Sequence, residues 1–318
     1  MYLLFYSISM QQSIQVGKTQ WIHIQEPNKE IINALSQEYG FHEVIVDDLL
    51  EINAQSKIDS NSNHFFLALT FTKYLPSEQR YLFNELDVII GEDYIITTNS
   101  LESHTIDALF ESFKNMGDLK DDSEKSSPYY ILYRIIDEYY NKTIKSLAMS
   151  GKKLLEIQDD IASRKAENEV VDSLMNEDLN KIFIKHNFLS QEDVMDELIE
   201  HISGINEKHL KVYFNSLKVK LSRIVSTINI LSEKNDSLMS AYNIFVGIKS
   251  NNSVTRLTFV NAIFMPLTLI AGIGGMSERS GMTGWSDYYW ISYPLFLVLC
   301  VGIAFLTYVL LRKYFMKK

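Results

Sequence analysis

The segment from Leu257 to Gly275, LTFVNAIFMPLTLIAGIGG, runs for 19 residues without a charged side chain. A second segment, from Tyr288 to Leu311, runs for 24 residues without one. A helix of about 20 apolar residues can cross the hydrocarbon core of a bilayer. Two buried core helices of a soluble protein joined by so short a link would be unusual. The sequence therefore predicts two transmembrane helices within residues 254–318, connected by a short extracytoplasmic loop at 276–287.

Basic residues around these segments predict their orientation. Lys249 and Arg256 precede the first segment, whereas the link holds one basic residue, Arg279. Because Lys and Arg are enriched in cytoplasmic loops, we expect a multi-pass protein of the plasma (inner) membrane with both termini in the cytoplasm. Four more basic residues follow the second segment: Arg312, Lys313, Lys317 and Lys318.

The first part of the chain, residues 1–125, mixes short β-like runs with amphipathic helices and predicts a cytoplasmic α/β domain. Helices are expected at Asn28–Tyr39, which Gly40 ends, and at His42–Leu50. Strands are expected where aromatic and β-branched residues form short runs bounded by turn formers. These runs are Tyr2–Tyr6, Trp21–Ile24, His64–Phe71, Phe83–Ile90 and Tyr94–Thr98.

Residues 126–253 predict a long helical hairpin and a stalk. Pro128 is a helix-start signal, and no proline follows between Tyr129 and Met265. Apolar residues recur there at steps of three and four, the helical period. The polar stretch Ser163–Asp172 is expected to turn the chain back, and one final helix is expected from about Gln191 to Ser253.

Composition excludes several classes of function. The chain has 40 acidic and 30 basic residues and a net charge of -10, which argues against a nucleic-acid partner. The one cysteine, Cys300, can build neither a disulfide framework nor a Cys-based metal site. The 7 histidines are scattered without metal-ligand spacing. No nucleophile–base or phosphate-cradling motif occurs, so we expect neither an enzyme nor a resident cofactor.

One face of the first segment carries residues at steps of three and four, the seam pattern of helices that supercoil around an axis. Its polar members, Asn261 and Thr268, lie at membrane depth, where polar groups usually face protein or water rather than lipid. The spacing leaves open the alternative of a helix–helix contact with a few hydrogen bonds. The full stripe is Val254, Leu257, Asn261, Met265, Thr268, Gly272 and Gly275.

The stretch Phe264–Met276, FMPLTLIAGIGGM, resembles the first transmembrane span of the CorA magnesium transporter family. Trp21–Ile24, Tyr39–His42 and Gly91–Thr98 are similar to parts of that family's N-terminal domain. The resemblance implies a funnel-shaped homopentamer in a lipid bilayer, with cytoplasmic α/β domains, long stalk helices and a pore lined by the first span. It also implies transport of divalent cations, chiefly Mg²⁺, with Co²⁺, Ni²⁺ or Zn²⁺ handled by some members.

The same resemblance gives roles to named positions. Because Mg²⁺ dehydrates reluctantly, a pore can recognise its water shell with neutral oxygens, here those of Asn261, Thr268 and Ser277. Mg²⁺ is expected as the transported ion and as a regulator. The outer-mouth filter would consist of Gly275, Met276, Ser277 and Glu278. The pore-lining positions would be Asn251, Val254, Leu257, Asn261, Met265, Thr268, Gly272 and Gly275.

Two departures from the family pattern bear on function. The family's Gly-Met-Asn at the outer mouth is Gly275–Ser277 here, and a regulatory aspartate often found in the stalk is replaced by Ser216. Asp47 and Asp48 remain as candidate ligands of a regulatory ion, with solvated helix caps as the alternative interpretation. Two other functions therefore stay open: transport of another divalent cation (Zn²⁺, Co²⁺ or Ni²⁺), or a non-conducting structural or regulatory role at the membrane.

Overall fold

The structure, a computed structural model, describes residues 10–51, 56–60, 64–75, 77–101, 103–115, 125–163, 168–205, 209–276 and 289–315. The chain divides into two compact units, Met1–Ser240 and Ala241–Lys318. The strands are β1 (Met10–Val16), β2 (Thr19–Gln25), β3 (Lys57–Ser60), β4 (Phe65–Leu75), β5 (Arg80–Ile90) and β6 (Tyr94–Asn99). The helices are α1 (Lys29–Tyr39), α2 (Glu43–Leu50), α3 (His104–Asn115), α4 (Pro128–Ala162), α5 (Asn168–Gly204), α6 (Leu210–Met276) and α7 (Tyr289–Phe315).

The strands of the first unit form one mixed sheet in the order β1-β2-β6-β5-β4-β3. The pair β2 and β6 is parallel, and the other four pairs of neighbouring strands are antiparallel. The predicted α/β class is confirmed. Strands β2, β5 and β6 contain the predicted runs, and β4 contains all of the run His64–Phe71 except His64. The predicted strand Tyr2–Tyr6 lies outside the described residues, whereas β1 and β3 were not expected from the sequence.

Helices α1 and α2 cover one face of the sheet. The Asn28 side chain accepts a 2.9 Å hydrogen bond from the backbone N–H of Ile31, and Gly40 ends α1 with φ of 74°, as Asn and Gly commonly do at helix ends. The buried side chains between these helices and the sheet are Ile22, Ile24, Ile32, Leu35, Phe41, Ile45, Leu49, Phe66, Ala68, Ile89 and Ile96.

Helices α3, α4 and α5 cover the other face of the sheet. The Trp21 ring of β2 lies 4.1 Å, centroid to centroid, from Phe110 of α3. The Phe71 ring of β4 stacks on Tyr139 of α4 at 4.2 Å and meets Phe188 of α5 edge-on at 6.3 Å. These large aromatic contacts hold the helical hairpin against the sheet.

The prediction of a single helix from about Gln191 to Ser253 is wrong. Helix α5 ends at Gly204 and α6 begins at Leu210. Glycine is a poor helix former because it loses more backbone entropy than other residues, so Gly204 is a natural end point. Ile202 and Leu210 are both buried, which fixes the chain on each side of the break.

We expect Gly17→Ala to destabilise the first unit by about 2 kcal/mol or more. Gly17 has φ of 59°, and an added Cβ would lie 2.3 Å from Cβ of Ser126. Gly40→Ala is the matched control, because φ there is 74° but nothing lies within 4 Å of the added atom. Denaturant unfolding of the purified protein measures both variants. An equal loss in the two would contradict the close approach at Ser126.

Candidate functional site

The candidate site lies on the part of α6 that belongs to the second unit. All predicted pore-lining positions, from Asn251 to Gly275, fall within this continuous helix, as does Met276 at its end. Ser277 and Glu278 lie outside the described residues. Among the described residues, one helix, α6, is long and apolar enough to cross a membrane. The side chains of its most apolar stretch are not buried by the rest of the chain.

One face of this part of α6 packs against α7. The Phe259 ring of α6 meets the Tyr308 ring of α7 edge-on, with centroids 5.9 Å apart. Half-buried side chains recur along α6 at helical spacing: Thr255, Phe259, Ala262, Ile263, Pro266, Leu267 and Ile270. A matching stripe on α7 consists of Cys300, Ile303, Ala304 and Thr307.

The predicted pore-lining residues occupy the opposite face of α6. Asn261 lies midway in sequence between Phe259 and Ile263, and Thr268 lies midway between Pro266 and Ile270. A step of two residues turns an α-helix by about 200°, so these polar side chains point away from α7. The relative exposures of Val254, Leu257 and Met265 are 57%, 62% and 77%.

The middle of the exposed arc of α6 carries polar and apolar side chains, and its edges are apolar. Asn261 and Thr268 lie near the middle of the arc, whereas Val260 and Phe264 form one edge and Leu269 the other. The polar groups are thus confined to the middle, which suits a helix whose polar side chains face water or protein and whose edges face neighbouring helices or lipid.

The threonine hydroxyl groups of this face donate hydrogen bonds to backbone carbonyls of α6 itself. Thr268 Oγ1 donates to the carbonyl of Phe264 at 2.8 Å, and Thr258 Oγ1 donates to that of Val254 at 2.9 Å. A hydroxyl that has donated its hydrogen presents only lone pairs to other partners. Water bound to a cation points its hydrogens outward, so these oxygens are suited to accept from a hydrated cation. Sequence reasoning missed Thr258, although it follows Val254 by four residues and therefore continues the seam spacing.

Within the described part of the chain, no group of three or more His, Cys, Asp or Glu side chains could hold a metal ion. Asp48 forms an ion pair with Lys57, and Ser216 Oγ donates to the carbonyl of Tyr213 at 2.6 Å. Among the predicted pore-lining positions, Asn251, Asn261 and Thr268 carry neutral side-chain oxygens, and none carries a carboxylate.

Comparison with known proteins decides the family. Residues 16–313 match the family model described as CorA-like Mg2+ transporter protein. The chain belongs to the CorA-like Mg²⁺ transporter family. A member of this family is a membrane transporter of divalent cations and not an enzyme.

Individual proteins and solved structures are also similar to this chain. The cobalt/magnesium transport protein CorA of Thermotoga maritima is 23% identical over 296 residues, which cover 92% of this chain and 82% of the relative. The complete structure of the CorA magnesium transporter from Methanocaldococcus jannaschii aligns with a TM-score of 0.74 at 17% identity, over 95% of this chain and 91% of that one. The ZntB cytoplasmic domain from Vibrio parahaemolyticus aligns with a TM-score of 0.61 at 15% identity, over 77% of this chain and 98% of that one. The structural likenesses establish the fold, an α/β domain followed by a long helix.

Proposed function

We propose that this CorA-like protein is a channel that passes divalent cations, chiefly Mg²⁺, through a homopentameric pore lined by α6. Helix α7 is the second transmembrane span and lies outside α6. The observation that carries this proposal is the two-sided character of α6, whose apolar packed face meets α7 while the opposite face exposes the predicted pore residues.

The domain arrangement follows from the same proposal. Residues 1–125 form the cytoplasmic α/β domain, residues 126–253 the helical hairpin and stalk, and residues 254–318 the membrane part. The multi-pass topology, with both termini in the cytoplasm of a cell bounded by the plasma (inner) membrane, rests on the distribution of basic residues around the two apolar segments.

Neutral oxygens recognise the ion in this proposal. Asn261 and Thr268 accept hydrogen bonds from the water shell of Mg²⁺, which is retained because Mg²⁺ dehydrates reluctantly. Val254, Leu257 and Met265 are the apolar constrictions, Met265 between these two polar rings and the other two before Asn261 along the helix. Such constrictions can gate by losing water. Asn251, Gly272 and Gly275 line the remainder of the path.

The outer mouth consists of Gly275, Met276, Ser277 and Glu278. The Gly-Met-Ser sequence replaces the family's Gly-Met-Asn, so a ring of hydroxyls stands where amides are usual. The Glu278 carboxylates attract cations to the entrance. Mg²⁺ is also the proposed regulator, although Ser216 offers no carboxylate in the stalk and the regulatory contact must use other groups.

Uptake by proteoliposomes tests the proposal. We expect purified protein to admit Mg²⁺ under an inside-negative potential, well above empty liposomes, as followed by an entrapped Mg²⁺ indicator. The same preparation assayed with Zn²⁺, Co²⁺ and Ni²⁺ ranks the ions. Faster uptake of one of those three would reassign the transported ion. No uptake of any of the four would favour a non-conducting structural or regulatory role.

A further inference from the structure

The second unit carries basic side chains but no acidic ones in the part that the structure describes. That part consists of residues 241–276 and 289–315, and neither range contains an Asp or a Glu. Exposed basic side chains in these ranges are Lys249 and Arg256 on α6 and Lys313 on α7. The described part of their own unit therefore offers these cations no carboxylate as a partner.

These basic residues mark one end of the α6–α7 pair. Phe259 of α6 contacts Tyr308 of α7, and the link 277–288 is too short to join the two helices in a parallel orientation. The helices are therefore antiparallel. Arg256 precedes Phe259 by three residues and Lys313 follows Tyr308 by five, so both lie just beyond this contact, at the end of the pair opposite the link.

On α6, Arg256 begins a ridge of side chains between the face that meets α7 and the face of the predicted pore residues. The ridge continues at steps of four with Val260 and Phe264, which are 47% and 61% exposed. Because each residue turns the helix by about 100°, the three lie about 60°, 100° and 140° around α6 from Phe259. Lys249 lies at about 80°, roughly 10 Å from Arg256 along the helix axis. The ridge thus combines two cations with an exposed apolar surface that begins one turn away.

We propose that this ridge binds an anionic phospholipid of the cytoplasmic leaflet. The lipid phosphate pairs with the Arg256 guanidinium, whose fork of N–H groups matches phosphate oxygens, and the Lys249 ammonium attracts the same headgroup. An acyl chain lies along Val260 and Phe264. The inference rests on the proposed topology, which places this end of α6 at the cytoplasmic face, and it does not depend on cation conduction.

Charge favours a lipid over a neighbouring subunit as the occupant of this ridge. In a homo-oligomer, the described part of a neighbour's second unit also lacks Asp and Glu, so it brings no carboxylate to Arg256. The cytoplasmic leaflet, in contrast, carries anionic headgroups that attract basic residues next to a transmembrane helix. Phosphatidylcholine is bound less tightly because its headgroup adds an ammonium group that the two cations repel.

Spin-labelled lipids test the inference with the full-length protein in phosphatidylcholine vesicles. We expect labelled phosphatidylglycerol to associate with the protein about fivefold more strongly than labelled phosphatidylcholine, the effect of about one basic side chain near an anionic surface. Arg256→Gln and Lys249→Gln should each lower this ratio about twofold or more, whereas Arg256→Lys should keep most of it. Lys211→Gln is the matched control, because it removes an exposed charge from α6 in the first unit and should leave the ratio unchanged.

Photolabelling locates the bound lipid on the helix. Phosphatidylglycerol with a diazirine on its acyl chain should label the α6 peptide that contains Val260 and Phe264 more than the matching phosphatidylcholine does. Arg256→Gln should remove this difference, and inert salt should reduce it because salt screens exposed charges.

The inference and the proposed function fail separately. Equal association of the two lipids with the wild type, or an Arg256→Gln ratio equal to that of the wild type, overturns the inference and leaves the proposed function standing. A wild-type protein that selects phosphatidylglycerol but admits no divalent cation supports the inference and contradicts the proposed function.

Discussion

Replacing Asn261 with lysine is expected to lower Mg²⁺ uptake by about 100-fold. Asn261 lies on the face of α6 opposite α7, between the apolar positions Leu257 and Met265. Lysine there would place one ammonium group per subunit at a single level of the proposed pore, where little water is available to screen it. A divalent cation is repelled by such a ring.

Two matched variants separate this charge effect from damage to the helix. Asn261→Gln keeps a neutral amide and should retain most of the uptake. Asn252→Lys adds the same charge at another exposed asparagine of α6, but at a position outside the four–three register, and should also retain uptake. Proteoliposome flux measures all three. Equal inhibition by Asn252→Lys and Asn261→Lys would mean that the register does not define the pore.

The second prediction with a large expected effect concerns the free energy of unfolding, which should depend on pH through His23. His23 on β2 is 2% exposed, and its Nδ1 lies 3.2 Å from the carbonyl of Thr97. Burial lowers the pKa of His23 from 6.5 to about 4. Between these two pH values, His23 is protonated in the unfolded chain and neutral in the folded chain. The contribution of His23 is thus fully present above pH 6.5 and is lost as the pH falls toward 4, which amounts to about 2.5 kcal/mol between pH 7.5 and 4.5.

A histidine variant isolates this contribution. His23→Gln removes the titrating ring, so its free energy of unfolding should fall less between pH 7.5 and 4.5 than that of the wild type, by about 2.5 kcal/mol. His186→Gln, at an exposed histidine on α5, should follow the wild-type pH profile. Denaturant unfolding monitored by tryptophan fluorescence measures each profile. Parallel wild-type and His23→Gln profiles would show that His23 is protonated in the folded chain.

The sequence indicates most of the α/β fold because its strongest local patterns are also its structural determinants. The apolar and aromatic runs of β2, β4, β5 and β6 are central strands buried on both faces, and such runs are readable from composition. Strand β1 is different: its sequence, MQQSIQV, is polar because it lies at the edge of the sheet. Strand β3, KIDS, lies at the other edge and is too short to show a pattern.

The break between α5 and α6 shows where periodicity misleads. Apolar residues keep a helical spacing on both sides of Gly204, so the pattern favours one helix through it. The separate packing of Ile202 and Leu210, which the sequence does not reveal, decides that two helices form.

The spacing of residues along the sequence predicts the pore stripe of α6. It does not show which face of α6 packs against α7. Four–three spacing shows which residues of α6 share a side, whereas the contact of Phe259 with Tyr308 shows which side meets α7. The hydrogen-bonding state of Thr268 also needs the helix, because its donor is satisfied by the carbonyl of Phe264. That bond leaves the Thr268 oxygen with only lone pairs for other partners on the exposed face of α6.

Thiol modification at Met265 tests the central claim most directly, namely that the face of α6 opposite α7 lines the cation path. In a Cys300→Ser background, Met265→Cys should react with a water-soluble, positively charged methanethiosulfonate, and Mg²⁺ uptake into proteoliposomes should then fall to the level of empty liposomes. Val298→Cys, on the exposed surface of α7, should keep its uptake under the same treatment. A Met265→Cys protein that stays unmodified by mass, or that is fully modified and still admits Mg²⁺ at the untreated rate, would contradict the account.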